Sequence, residues 1–201
     1  KRIPAEAGMG GGSSDAATCL LALNRLWGLH LSLARLESIG LSLGADVPFF
    51  LRGSNAWVEG VGEEITPVVL PPARFAVLKP PTGLATAKIF SANDLQRATP
   101  SAIVYGFADN DAAQSLKLKN EIYRFGRNDL QPVAQRLNPQ VNQAIAWLDS
   151  QGLEARMTGS GSAVFAKMNL PQNSLLHNPP PDWQLRICSN LAVHPLAGWV
   201  G

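Results

Sequence analysis

A glycine-rich stretch lies near the start of the chain: Pro4-Ala5-Glu6-Ala7-Gly8-Met9-Gly10-Gly11-Gly12-Ser13-Ser14. A helical pattern follows from Ser14, because Leu20, Leu23 and Trp27 recur at spacings of three and four. Glycine lets the backbone turn through positive φ and brings N–H groups close to a ligand. The N-terminus of a helix also carries about half a positive charge. The stretch therefore predicts an anion site, most naturally for phosphate, with Ser13 or Ser14 capping the helix.

The two common phosphate-binding motifs do not fit this loop. Walker A needs a lysine between the last glycine and the Ser or Thr, whereas Gly12 runs directly into Ser13. The Rossmann fingerprint needs a third glycine three residues after the second, and Ser13 stands at that distance from Gly10. A flexible linker or a tight turn therefore remains the alternative to a phosphate site.

A second motif, Gly44-Ala45-Asp46-Val47-Pro48-Phe49-Phe50, follows a helix that the pattern predicts over residues 32–43. Val47 and Pro48 restrict the backbone after Asp46, so its carboxylate can be held in one direction. A carboxylate held in this way can accept the proton of a hydroxyl during phosphoryl transfer. The alternative is that Asp46 caps a turn after the helix, and the residues by themselves favour that alternative.

The loop and the sequence after it, residues 4–17, resemble the phosphate-binding loop of the GHMP kinases, the group of galactokinase, homoserine kinase and mevalonate kinase. Residues 44–50 resemble the segment that bears the catalytic aspartate in one branch of this group. That branch phosphorylates a hydroxyl of diphosphocytidyl-methylerythritol. Three further motifs match the branch in order along the chain: Glu59-Gly60-Val61-Gly62-Glu63, Asn128-Asp129-Leu130 and Thr158-Gly159-Ser160-Gly161.

The resemblance implies an ATP-dependent kinase of the non-mevalonate isoprenoid pathway that uses Mg²⁺. It implies that residues 4–14 hold the nucleotide phosphates and that Asp46 is the catalytic base. Ser13, Ser14 and Asp15 are then candidates for contact with phosphate or Mg²⁺. Helix capping is the alternative role of the two serines.

The resemblance also implies which residues contact the cytidine-bearing substrate: Thr86, Phe90, Gly159, Ser160 and Gly161. The ring of Phe90 could stack on the cytosine. The alternatives are a core position for Phe90 and a simple hairpin turn at residues 159–161.

Three departures from the family stand out. Glu6 places a carboxylate in the phosphate loop, and residues 101–119 are longer than the usual connection. In the family, a segment before the loop carries a lysine next to the aspartate and parts of both substrate pockets. We therefore expect the chain to be the remainder of a longer protein. The rival interpretations are a homoserine-type or mevalonate-type GHMP kinase, and a non-catalytic nucleotide-binding fragment.

The order of predicted elements indicates an α+β fold. The second half reads strand, short helix, loop, two helices, strand, strand, weak helix and strand, which suits helices packed on an antiparallel sheet. Pro71-Pro72 is typical of a linker. The resemblance implies a two-domain GHMP-kinase fold, with residues 1–70 as the remainder of the ATP-binding domain. Residues 73–201 would then form a ferredoxin-like C-terminal domain.

Composition narrows the function classes. The 201 residues are 46% hydrophobic and 16% charged, with a net charge of +2. The sequence contains no basic stripe, so a nucleic-acid partner is not predicted. No apolar run reaches the roughly 18 residues of a membrane span. We expect Cys19 and Cys188 to be reduced core residues of a cytoplasmic protein. The histidines lack metal-ligand spacing, and the oligomeric state is left open.

Overall fold

The computed structural model describes residues 3–99, 122–168 and 178–200. These form two compact units. The first contains residues 3–9, 72–99, 122–168 and 178–190, and the second contains residues 10–71 and 191–200. The units differ from the predicted domains at both ends of the chain, because residues 3–9 pack with the second half and residues 191–200 with the first.

The second unit consists of three helices and a β-hairpin. Its elements are α1 (Gly11–Leu26), α2 (Leu33–Leu43), α3 (Val47–Arg52), β1 (Ala56–Glu59) and β2 (Glu64–Pro67). The helices bury an apolar cluster centred on Leu21, Leu36 and Val47. The strands pair antiparallel, as the pattern around Gly60-Val61-Gly62 predicts.

The start and end of α2 confirm the predicted helix. The Ser32 hydroxyl accepts a hydrogen bond from the Arg35 N–H at 3.3 Å, and Gly44 follows the last turn. Residues 191–200 complete this unit, since the His194 N–H donates to the Gly53 carbonyl at 2.7 Å.

The first unit is a four-stranded antiparallel sheet with helices. Its elements are β3 (Arg74–Lys79), α4 (Thr86–Phe90), α5 (Gln131–Leu137), α6 (Pro139–Ser150), β4 (Ala155–Met157), β5 (Val164–Met168) and β6 (Gln184–Ser189). The strand order is β4-β5-β3-β6. This order confirms the predicted α+β class and the ferredoxin-like arrangement.

The core of the first unit lies between the sheet and the helices α5 and α6. Val164, Ala166 and Met168 alternate with less buried residues along β5, as one apolar face of a strand requires. They pack with a helix stripe that includes Val141 and Leu148. This core fixes the sheet that carries the turn at residues 158–161.

The two cysteines differ from expectation, and some predictions fall outside the described residues. The free cysteines Cys19 and Cys188 are exposed, so the expectation that they are core residues is wrong. Cys188 lies on β6, an edge strand with little cover. The predicted weak helix after residue 167, the long connection at residues 101–119, and His177 lie wholly or partly outside the described residues.

Candidate functional site

The first turn of α1 leaves three backbone N–H groups without an acceptor inside the helix. Gly10 precedes the helix in the left-handed conformation (φ 63°), and the Ser14 N–H donates to the Gly10 carbonyl at 2.9 Å. The N–H groups of Gly11, Gly12 and Ser13 come before this first bond of the helix. Together with the helix dipole they can bind an anion.

The helix begins three residues earlier than the pattern predicts, and the expected serine cap is wrong. Gly10 takes the capping position, and no side chain donates or accepts a capping bond there. Ser13 and Ser14 lie inside the first turn, half-buried. A glycine takes the left-handed conformation before the helix without steric cost, which shifts the start of the helix to Gly11.

Within the second unit, the start of α1 lies beside the segment that contains Asp46. A Cβ atom on Gly10 would stand 2.8 Å from the Phe50 ring, and a Cβ on Gly44 would stand 3.8 Å from the Ser13 hydroxyl. Glycine at position 10 thus permits close packing of α1 on α3. The two most specific motifs of the sequence are therefore neighbours.

Asp46 directly precedes α3, in helical backbone conformation (φ −83°, ψ −10°) and with an exposed side chain. Its carboxylate makes no capping hydrogen bond, so the capping role that the sequence left open is not observed. Val47 and Pro48, in contrast, are buried. The backbone is therefore anchored immediately after an exposed carboxylate.

Residues 6–8 belong to the first unit and are hydrogen-bonded along the 158–163 segment. The Glu6 carbonyl accepts from the Ser162 N–H at 3.1 Å, and the Ala7 carbonyl accepts from the Ala163 N–H at 3.2 Å. The Thr158 hydroxyl donates to the Gly8 carbonyl at 3.1 Å. The predicted phosphate loop is thus fixed in the first unit up to Met9 and continues in the second unit from Gly10.

The glycine loop and the 158–161 turn approach each other so closely that some positions in each have no room for a side chain. A Cβ on Gly8 (φ 65°) would overlap the Thr158 carbonyl oxygen and stand 2.5 Å from the Gly161 nitrogen. Conversely, a Cβ on Gly159 would stand 2.6 Å from the Gly8 carbonyl oxygen. Part of the glycine pattern therefore has a packing cause, in keeping with the structural alternative for residues 159–161.

The side chain of Glu6, the departure from the family pattern, lies against Gly83 of its own unit. Its backbone has a positive φ of 51°, and its side chain approaches Gly83 so closely that a Cβ there would overlap its carboxylate. Lys79 is buried, and burial lowers the pKa of its ammonium group while the Glu6 charge raises it. The Glu6 carboxylate is thus directed at Gly83, while the Lys79 ammonium group donates to the carbonyls of Pro80 at 2.6 Å and Thr82 at 3.2 Å.

Two predicted substrate residues are brought together. The hydroxyls of Thr86 and Ser160 lie 2.8 Å apart, at hydrogen-bond distance. Phe90, one turn after Thr86 on α4, is 53% exposed. A core position for Phe90, the alternative to a substrate contact, is therefore wrong.

Asn128 supports the turn that carries Ser160. Its side-chain amide donates to the carbonyls of Met157 at 3.1 Å and Gly159 at 2.8 Å, while its oxygen accepts from the Leu130 N–H at 3.0 Å. The sequence marks Asn128 only as part of a matching motif. Its role in holding the turn at residues 158–161 depends on the fold, which brings that distant turn next to Asn128.

A solvent-open cleft of about 510 Å³ also lies in the first unit, lined in part by Asp94, Arg127 and Asp129. Its charges are largely paired, since Arg127 contacts Asp129 at 2.7 Å and Arg136 contacts Asp94 at 2.6 Å. None of the predicted substrate residues lines it. We therefore do not assign the substrate to this cleft.

Over residues 3–99, 122–168 and 178–200, no three His, Cys, Asp or Glu side chains are grouped so as to hold a metal ion. In the same part of the chain, no helix combines the length and the apolar character needed to cross a membrane.

Comparison with known proteins identifies the class. The model of the GHMP kinase N-terminal domain matches residues 1–54, and that of the GHMP kinase C-terminal domain matches residues 104–170. A crystal structure of 4-(cytidine 5'-diphospho)-2C-methyl-D-erythritol kinase superposes with a TM-score of 0.63 at 35% identity. The match covers 83% of this chain and 59% of that one.

Curated relatives identify the family within the class. The 4-diphosphocytidyl-2-C-methyl-D-erythritol kinase of Variovorax paradoxus is 66% identical over 99% of this chain and 69% of its own length. The enzymes of the same name from Polaromonas sp. and Polaromonas naphthalenivorans are 58% and 57% identical. The chain belongs to the 4-diphosphocytidyl-2-C-methyl-D-erythritol kinase family of GHMP kinases. It spans 62–69% of the length of these three relatives.

Proposed function

We propose that the protein containing these 201 residues transfers the γ-phosphoryl group of ATP to a hydroxyl of 4-diphosphocytidyl-2-C-methyl-D-erythritol. The observation that carries the proposal is the placement of the α1 N-terminus beside the Asp46 segment, with Ser13 next to Gly44. A helix start that can bind an anion and a carboxylate that can accept the hydroxyl proton are two of the features that phosphoryl transfer requires of a protein. The names of the relatives supply the substrate.

Asp46 is the proposed general base. It takes the proton of the substrate hydroxyl while the hydroxyl oxygen bonds to the γ-phosphorus of ATP. The bond from that phosphorus to its bridging oxygen breaks, and ADP leaves with the electron pair. The buried Val47 and Pro48 anchor the backbone beside the carboxylate. We propose that this anchoring aligns the carboxylate with the attacking oxygen, since alignment supplies much of the rate.

Backbone N–H groups at residues 11–13 are the proposed holders of the ATP phosphates, as part of the 4–14 loop. Mg²⁺, which we expect to arrive with ATP, would neutralise charge on the phosphates. Mg²⁺ in kinases is held by one or two carboxylates plus substrate oxygens. Asp15, one turn into α1, and the hydroxyls of Ser13 and Ser14 would hold it.

Residues of the first unit are proposed to bind the cytidine end of the substrate. The hydroxyl pair of Thr86 and Ser160 offers a donor and an acceptor, and the exposed ring of Phe90 offers a stacking surface. Two free cysteines are usual in a reducing compartment, and we propose that the reaction takes place in the cytoplasm.

A substrate panel tests the proposed reaction. The protein with its natural N-terminus is supplied with ATP and Mg²⁺ and with 4-diphosphocytidyl-2-C-methyl-D-erythritol, homoserine or mevalonate, and ADP release is measured. We expect turnover of the first substrate alone. Turnover of homoserine or mevalonate instead would assign the protein to another GHMP activity, and ATP binding without any turnover would support a nucleotide-binding role.

Gly12→Ala tests the phosphate loop separately. A Cβ on Gly12 meets no protein atom within 4 Å, so the fold tolerates it, and alanine in a helix stabilises by about 0.5–1 kcal/mol over glycine. A methyl group at the backbone that approaches phosphate should nevertheless weaken ATP binding about tenfold, or about 1.4 kcal/mol. Calorimetric titration gives the affinity and thermal unfolding the stability.

The matched control is Thr18→Ala, an exposed change further along α1, which should leave the affinity for ATP unaltered. Unchanged ATP affinity in Gly12→Ala would show that residues 11–13 do not approach the nucleotide.

A further inference from the structure

The turn between β1 and β2 contains a buried glycine with an unusual backbone conformation. Gly62 has a φ of 116° and is buried, although it lies in a hairpin turn whose neighbours Val61 and Glu63 are exposed. The sequence marks this turn only as the motif Glu59-Gly60-Val61-Gly62-Glu63, and the proposed function gives it no role.

Gly62 is buried because it rests on the backbone of Ala45. A Cβ on Gly62 would overlap the Ala45 carbonyl oxygen and would stand 2.8 Å from the carbonyl carbon and 3.1 Å from Cα. These are backbone atoms, which cannot move aside as the end of a side chain can. Ala45 directly precedes Asp46, so the turn supports the peptide group that leads into Asp46.

Both partners of this contact are held from other sides. The guanidinium of Arg52, at the end of α3, donates to the Ile65 carbonyl of β2 at 3.1 Å and to Glu37 of α2 at 2.6 Å. After Asp46, Val47 packs against Gly40 of α2. A Cβ on Gly40 would stand 2.8 Å from Cγ1 of Val47. The hairpin and the helices therefore enclose the Ala45–Val47 segment on two sides.

We propose that Gly62 is a positioning residue for catalysis: by its close contact with Ala45 it sets the direction of the Asp46 carboxylate. The inference rests on the proposed role of Asp46. In this inference Gly62 acts through Ala45 and Asp46 and not by contact with a substrate. Any side chain at position 62 displaces the Ala45 carbonyl, and a displacement of about 1 Å at a catalytic group can cost up to about a hundredfold in rate.

Gly62→Ala is the first test. We expect kcat to fall at least about tenfold while the KM for ATP and for the cytidylyl substrate change less than about twofold, as for loss of an interaction made only in the transition state. Gly152→Ala is the matched control, because Gly152 has a φ of 75° and a Cβ there meets nothing within 4 Å. It should retain the kcat of the wild type.

A double-mutant cycle with Asp46→Asn separates positioning from a general loss of structure. If Gly62 acts through Asp46, adding Gly62→Ala to Asp46→Asn leaves the residual kcat unchanged within about twofold. An equal fold-loss in both backgrounds would overturn the inference while leaving the role of Asp46 intact. A wild-type kcat in Asp46→Asn alone would instead overturn the proposed role of Asp46, and the inference with it.

Glu63→Ala covers the case in which Gly62→Ala does not fold. The exposed Glu63 carboxylate accepts a hydrogen bond from the Val61 N–H at 2.7 Å and thereby closes the turn. Opening the turn should lower kcat several-fold in the wild type and leave it unchanged in Asp46→Asn. A wild-type kcat in a folded Glu63→Ala variant whose turn has opened, as its backbone NMR shifts would report, overturns the inference.

Discussion

Phe90 illustrates a side chain that packing does not explain. It ends α4 with 53% of its surface exposed, although full burial of a Phe side chain contributes about 1.5–3 kcal/mol. We expect Phe90→Ala to leave the free energy of unfolding nearly unchanged and to weaken binding of the cytidylyl substrate by about 1–3 kcal/mol, the range for a stacked base. Titration of the substrate and urea unfolding measure the two quantities.

Phe125→Ala is the matched control for this prediction, because Phe125 is also an exposed phenylalanine of the first unit, at 43%. It should leave substrate affinity unaltered. A loss of stability in Phe90→Ala with unchanged substrate affinity would remove Phe90 from the substrate contacts.

The glycines show which residues a sequence can interpret and which it cannot. Their density in the 4–14 loop predicts close backbone approach but does not say to what. Gly8 and Gly10 are required by other parts of the protein, Thr158 and Phe50 respectively, whereas a Cβ on Gly12 meets open space. Only these distant contact partners show that Gly8 and Gly10 are needed for packing.

Among the secondary-structure elements, those with a strong local signal were predictable. Helix α2 has a serine cap and a terminal glycine, and α6 has an apolar stripe that ends in the core. The six-residue helix α3 was not predicted, because so short a segment shows no period and Pro48 reads as a breaker. Pro48 is accommodated in its first turn, where the N–H has no intrahelical partner in any case.

Asn128 supports the turn between β4 and β5, and its replacement tests that support. Asn128→Asp keeps the acceptor for the Leu130 N–H but removes the two N–H donors to Met157 and Gly159. We expect a stability loss of about 1–3 kcal/mol, because two hydrogen bonds are lost and each contributes about 0.5–1.5 kcal/mol. We also expect a higher KM for the cytidylyl substrate, because the turn carries Ser160. Urea unfolding and steady-state kinetics check both.

Asn142→Asp serves as the control, since Asn142 makes its hydrogen bonds with Gln135 on the exposed side of α6. It should change neither quantity. An unchanged KM in a destabilised Asn128→Asp would mean that the turn supports the fold but not substrate binding.

At the scale of the complete fold, local sequence patterns did not predict which distant segments pair with each other. The α+β class and the antiparallel sheet followed from the order of strands and helices, which is a local property. The assignment of residues 3–9 to one unit and 191–200 to the other did not follow. It depends on hydrogen bonds between residues far apart in sequence, such as Ser162 to Glu6 and His194 to Gly53.

The same limit applies to the candidate site. The sequence selects Asp46 and the glycine loop as candidates from their motifs. It does not predict their proximity, because that depends on how α1 and α3 pack through Gly10 and Phe50. Likewise, the pairing of Thr86 with Ser160 joins side chains 74 positions apart. A sequence identifies such residues one by one, and the fold decides which of them act together.

The kcat of Asp46→Asn tests the proposed mechanism most directly. Asparagine keeps the shape of the side chain and removes its capacity to accept a proton. ADP release is measured with saturating ATP and 4-diphosphocytidyl-2-C-methyl-D-erythritol, and ATP affinity is measured separately by titration. We expect kcat to fall about a hundredfold or more, as for removal of a general base, with ATP affinity unchanged. A kcat equal to that of the wild type would contradict the assignment of Asp46 as the catalytic base.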